Sequence, residues 1–63
     1  MHIEVLNSQG RFVGSEIKDA NIMEMLEFLS KLPTLSYLRL ATDGGFTFFQ
    51  KELLKESVVT LKE

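Results

Sequence analysis

Only one stretch of this 63-residue chain has the apolar spacing of a full helix, and this limits the fold more than any other feature. Over about residues 20–32, apolar side chains recur three and four positions apart, as on one stripe of an α-helix. Asn21 stands at an N-cap position with Glu24 at capping-box spacing, Asp19 is an alternative N-cap, and Pro33 ends the pattern. Because one helix can cover only one face of a sheet, a second apolar face needs another partner.

The rest of the chain alternates like β-strands that are separated by turn residues. Strands are predicted at His2–Asn7, Arg11–Gly14, Ser36–Thr42, Phe46–Gln50 and Ser57–Leu61, with Lys51–Glu56 as one helical turn. This order, β-β-α-β-β-β, predicts an α+β fold: a two-layer sandwich with one helix packed on one face of a small antiparallel sheet. We expect one small globular domain over residues 1–63.

The hairpin around residues 43–45 admits two registers, because its turn contains Asp-Gly-Gly. A two-residue loop sets Arg39 opposite Phe48, whereas a three-residue loop sets Leu40 opposite Phe48. We expect the second register, since it gathers the leucines and phenylalanines on one face and burial of a face normally decides register. The predicted core is Ile22, Leu26, Leu29, Leu38, Leu40 and Phe48.

That register leaves apolar side chains on the sheet face that the single helix cannot cover. Burial of one Phe contributes about 1.5–3 kcal/mol, so leaving several of them in water favours association with a partner. Val58 or Val59 joins this face from the last strand, and Met23 is either a lone exposed side chain or a contact residue on the helix. The candidate interface is Tyr37, Arg39, Phe49, Val59 and Met23.

The small size of the chain also favours assembly. Below about 70–80 residues, one hydrophobic core rarely supplies more than about 3–5 kcal/mol, and small domains often add a disulfide, a metal or a second subunit. The chain has no Cys, and His2 is its single His, so neither a disulfide nor a zinc site is expected. We therefore expect a homodimer. A monomer whose open face binds a different protein, and a self-sufficient monomer with a strongly bent sheet, remain as alternatives.

No residue pattern in the sequence carries catalytic chemistry. The serines lack a nucleophile-elbow context, and a Ser-His-acid triad would have to use His2. Glu24 and Glu27 fall on the polar side of the helix, where capping and ion pairing explain them. We expect no enzyme activity, no cofactor, no metal and no small-molecule substrate.

Charge and hydropathy restrict the partners. The net charge is −2 and the seven basic residues are scattered, so nucleic-acid binding is not favoured. We find no signal peptide and no apolar run of membrane-spanning length, and the lack of Cys fits a reducing compartment, so a cytoplasmic location is expected. The main prediction is a small intracellular protein-interaction module, an adaptor, inhibitor or regulator. The alternative is single-stranded nucleic-acid binding, with bases stacked on Tyr37 and Phe49 beside Arg39.

Overall fold

Two β-hairpins and a last strand are separated by helices in the computed structural model, which describes residues 1–19 and 21–63. The strands are β1 (His2–Asn7), β2 (Gly10–Val13), β3 (Tyr37–Thr42), β4 (Gly45–Gln50) and β5 (Val58–Lys62). The helices are α1 (Ile22–Ser30) and α2 (Lys51–Lys55), with a 3-10 turn at Leu32–Thr34. The predicted α+β class is confirmed. Position 20, which the sequence pattern included in the helix, lies outside the described residues.

The described strands form two antiparallel sheets, so the prediction of one sheet is wrong. One sheet has the order β2-β1-β5 and the other pairs β3 with β4. The chain crosses between them after β2: the Gly14 N–H donates to the Ile3 carbonyl at 2.8 Å, and the Ser15 N–H donates to the Ala41 carbonyl at 2.8 Å. A Cβ on Gly14 would lie 2.8 Å from Leu40 Cδ1, so the sheets approach closely at this point because the residue is glycine.

Helix α1 begins where the capping signal predicted. The Asn21 side-chain oxygen accepts from the backbone N–H of Met23 at 2.8 Å and of Glu24 at 3.3 Å. These bonds satisfy N–H groups that have no partner inside the helix. The α-helix ends at Ser30, and the chain continues as the 3-10 turn that contains Pro33.

The core joins the two sheets. Its buried apolar side chains are Ile3, Val5, Leu38, Leu40 and Phe49. The rings of Phe12 on β2 and Phe49 on β4 meet edge to face, with centroids 5.1 Å apart and planes at 79°. Contacts between side chains that are distant in sequence therefore hold the two sheets together.

The predicted core is correct in part. Leu38 and Leu40 are buried and Leu29 is half-buried. The predictions of Ile22, Leu26 and Phe48 as core residues are wrong, since each is about half exposed or more. Helix α1 turns a different side to the core than the sequence predicted: Met25 and Phe28 pack against the core, and Ile22 and Leu26 do not.

Candidate interaction surface

The turn of the β3–β4 hairpin decides which aromatic side chains face solvent. Thr42 pairs with Gly45 across a two-residue loop, and Arg39 lies opposite Phe48. Gly44 has a φ of 88°, a conformation that glycine adopts without strain. The predicted three-residue loop is therefore wrong, and the two-residue alternative is the one observed.

This register places three aromatic rings and a guanidinium on the outer face of the hairpin. Tyr37, Phe46 and Phe48 are 56%, 59% and 62% exposed. The Tyr37 and Phe48 rings lie 6.0 Å apart at 40°, and the Arg39 guanidinium carbon lies 4.8 Å above the centre of the Phe46 ring. We call these four residues, Tyr37, Arg39, Phe46 and Phe48, the aromatic surface.

A shallow depression extends one end of the aromatic surface towards α2. Its volume is about 580 Å³, and Tyr37 and Phe48 form one wall. Lys51 and Glu52, at the start of α2, place one charge of each sign on its rim. A ligand on the rings would therefore find polar groups at this edge, the usual arrangement of an apolar contact area with a polar rim.

The predicted interface residues do not all meet in space. Tyr37 and Arg39 lie together on the exposed outer face of β3. Phe49 was predicted to be exposed there, and this is wrong: it is 2% exposed and belongs to the core. Val59 is half-buried and packs against the core on the inner side of β5, so it too is misplaced. Met23 is 70% exposed, but it lies on α1 and not on the hairpin.

Sequence reasoning missed Phe46 and Phe48 as surface residues, and the signal that pointed to them, without deciding the register, was the Asp-Gly pair of a two-residue loop. With a loop of two residues, odd and even positions of β4 exchange faces relative to a loop of three. The aromatic patch inferred from Phe49 therefore does not exist as predicted. A different patch, built from the neighbouring phenylalanines, occupies the outer face.

The outer face of the other sheet centres on a carboxylate. Glu4 is only 8% exposed, and its oxygens lie 2.8 Å from His2 Nε2, 2.9 Å from Arg11 Nε and 3.7 Å from Lys62 Nζ. The hydrogen bond from His2 is the main cause that holds the pKa of Glu4 below its ordinary value, followed by the bond and charge of Arg11 and the charge of Lys62, while desolvation opposes them. We call this group the Glu4 network.

The described residues offer no cluster of three or more His, Cys, Asp or Glu side chains that could hold a metal ion. No helix among them is long and apolar enough to cross a membrane. No family model, curated protein or solved structure matches this chain. The aromatic surface is therefore the feature from which function has to be inferred.

Proposed function

We propose that this chain is a small intracellular protein-interaction module, an adaptor, inhibitor or regulator that acts without catalysis and self-associates through the aromatic surface. The observation that carries the proposal is the exposure of Tyr37, Phe46 and Phe48 side by side on one sheet face. Contiguous exposed apolar groups of this kind mark interaction sites on small proteins. Tyr and Arg, both present here, are enriched among residues that dominate binding energy.

The size of the core supports a second copy as the partner. Five apolar side chains among the described residues are buried. The exposed area is 4605 Å² for a chain of 7.2 kDa. A typical monomer of that mass exposes about 4,100 Å². The excess is in the range that a modest interface would cover.

A twofold dimer is the commonest closed assembly, and it needs only one self-complementary patch. In the proposed dimer, the second copy contacts the hairpin at Phe46 and Phe48, which the rest of the chain leaves exposed. Association would also add the stabilisation that a chain without disulfides lacks.

Sedimentation equilibrium of the wild type and of Phe48→Asp tests the proposal. We expect a dimer mass for the wild type at tens of micromolar and a monomer mass for Phe48→Asp, because the substitution puts a charge into the contact. Val58→Asp is the matched control, since Val58 is also 62% exposed but lies on the outer face of the other sheet. A monomer mass for the wild type, or equal dissociation by both variants, would contradict the proposal.

A second candidate function is binding of single-stranded nucleic acid on the same surface. The observation that favours it is the presence of aromatic rings and one Arg on a single exposed sheet face, an arrangement on which bases stack. The net charge of −2 weighs against it, because binding of this class usually requires a basic field around the rings.

Fluorescence anisotropy with labelled single-stranded oligonucleotides separates the two candidates. Nucleic-acid binding predicts an affinity that falls steeply with added salt and is lost in Arg39→Gln and Phe48→Asp. If anisotropy does not change at low salt while the protein sediments as a dimer, the protein-interaction proposal stands alone.

A further inference from the structure

Strands β2, β5 and β4 each have one edge without a paired strand among the described residues, and these three edges are not protected to the same degree. The β2 edge carries Arg11 and the β5 edge carries Lys62. Strand β4 has the sequence GFTFFQ, with neither a charged residue nor a proline. Native proteins usually protect edge strands with charges, prolines or bulges, because an unpaired edge can bind another strand. Strand β4 lacks each of these protections.

A hydrogen bond on the outer edge of β3 shows which backbone groups of β4 point away from the hairpin. The Ala41 carbonyl accepts from Ser15, so it points away from β4. Ala41 lies opposite Phe46, and residues of an antiparallel pair alternate between bonding each other and pointing outward. The N–H and C=O groups of Phe46 and Phe48 therefore point to the free edge. No backbone hydrogen bond from the described residues reaches them.

We infer that β4 of a second copy pairs antiparallel with this edge, about a twofold axis at Thr47. This inference rests on the proposed self-association and specifies its geometry. With the axis at Thr47, Phe46 of each copy lies opposite Phe48 of the other copy, so the dimer contains two such pairs. The outward N–H and C=O groups of both phenylalanines then bond to each other. The result is a four-stranded sheet of order β3-β4-β4-β3.

The composition of β4 suits pairing with itself. Around a twofold axis, a strand meets its own sequence in the reverse direction, so any charged residue near the axis would approach a like charge. The segment Gly45–Gln50 has no charged side chain. The phenylalanines that would pair across the axis are already 59% and 62% exposed on the same face. Pairing therefore requires no refolding of the hairpin.

Strand pairing would also join the two aromatic surfaces. Residues that lie opposite each other in antiparallel strands project to the same side of the sheet. Phe46 and Phe48 of both copies would thus form cross-strand aromatic pairs, with Tyr37 at either end of one continuous outer face. Self-association at the edge and a binding face for a further partner are compatible in this arrangement.

Disulfide trapping tests the axis directly, because the chain has no Cys of its own. In the inferred sheet, Thr47 lies opposite its own copy as a non-hydrogen-bonded pair, whose Cα separation of about 4.5 Å is within disulfide reach. Mild oxidation should therefore crosslink Thr47→Cys at least about tenfold faster than Thr60→Cys, because pairing holds the two thiols at high effective concentration. Thr60 is a matched control: an exposed Thr on an edge strand, β5.

Amide hydrogen exchange of the wild type gives a second measurement without any substitution. The amides of Phe46 and Phe48 should become protected as protein concentration rises, whereas the amide of Arg11, on the β2 edge, should not. A dimer mass without Thr47→Cys crosslinking and without this protection would overturn strand pairing and leave the proposed self-association intact. Equal crosslinking of both cysteine variants would also overturn it. A monomer mass at every concentration would overturn both.

Discussion

The outer faces of the two sheets differ in whether their charged side chains form ion pairs within the chain. On the three-stranded sheet, Glu4 collects contacts from His2, Arg11 and Lys62, so the centre of the face is polar and its charges are paired within the chain. The exposed aliphatic side chains beside this network are Leu6, Val13 and Val58. On the hairpin, the only charged side chain of the aromatic surface is Arg39, and it stacks on a ring instead of pairing with a carboxylate.

Under the proposed function, this difference separates a face whose charged groups are already paired within the chain from a face that a partner would cover. The polar groups of the Glu4 network gain little from a second molecule, because they already bond to one another. The rings of the aromatic surface would each gain from removal of water, since apolar burial stabilises in proportion to area. The outer faces of two sheets that share one core can therefore have different roles: one stabilises the fold, and the other is available for association.

The largest expected effect is a loss of stability that differs between the buried and the exposed face of β4. Phe49→Ala should destabilise the fold by about 3–5 kcal/mol, because it leaves a cavity beside Phe12 in the core. Since a core of this size supplies only about that much, the variant should be mostly unfolded at 25 °C by circular dichroism. Phe48→Ala is the matched control, and it should keep the native spectrum while its association weakens. A folded Phe49→Ala variant would contradict the observed register.

Gly14→Ala tests whether the two sheets depend on their close approach. Its Cβ would lie 2.8 Å from Leu40 Cδ1 and 3.0 Å from the Ile3 carbonyl oxygen. We expect a loss of about 1–3 kcal/mol in the free energy of unfolding, measured by urea denaturation. A Cβ on Gly45 would contact nothing within 4 Å, so Gly45→Ala should have little effect. Equal stability of the two variants would mean that the sheets adjust freely at their junction.

The Glu4 network predicts a pH dependence on its own face. Because the folded-state pKa of Glu4 lies below its ordinary value of 4.5, its contribution is fully present above that pH and is lost as pH falls through the folded pKa. Glu4→Gln should therefore be less stable than the wild type at pH 7, and the difference should narrow in acid. Urea denaturation of both proteins across the acid range measures this. A difference that widens towards low pH would contradict the network.

The smallest expected effect concerns Arg39 and Phe46. Contact of a guanidinium with an exposed ring contributes about 0.5–1 kcal/mol. A double-mutant cycle of Arg39→Gln and Phe46→Leu should recover a coupling energy of that size by urea denaturation at low protein concentration. Zero coupling would mean that the contact between Arg39 and Phe46 does not stabilise the hairpin.

Local signals in the sequence predicted the helix, its cap and the α+β class. They could not decide the hairpin register, because both loop lengths suit an Asp-Gly-Gly turn. The number of apolar residues on one hairpin face favours the three-residue loop, and this local criterion is misleading here. In the structure, Phe49 packs against residues of the other sheet, among them Phe12, and that contact is invisible in a local pattern. The same limitation misplaced Val59, whose burial depends on pairing with Val5 at the other end of the chain.

The composition of the aromatic surface has an optical consequence. Tyr37 is the only tyrosine of the chain, and there is no tryptophan. Tyrosine emission from the unlabelled protein therefore arises at one end of the aromatic surface and nowhere else. A change in its intensity or quenching on dilution, or on addition of a partner, reports events at that surface. The protein can thus be followed spectroscopically at its candidate site without a dye, a tag or a substitution.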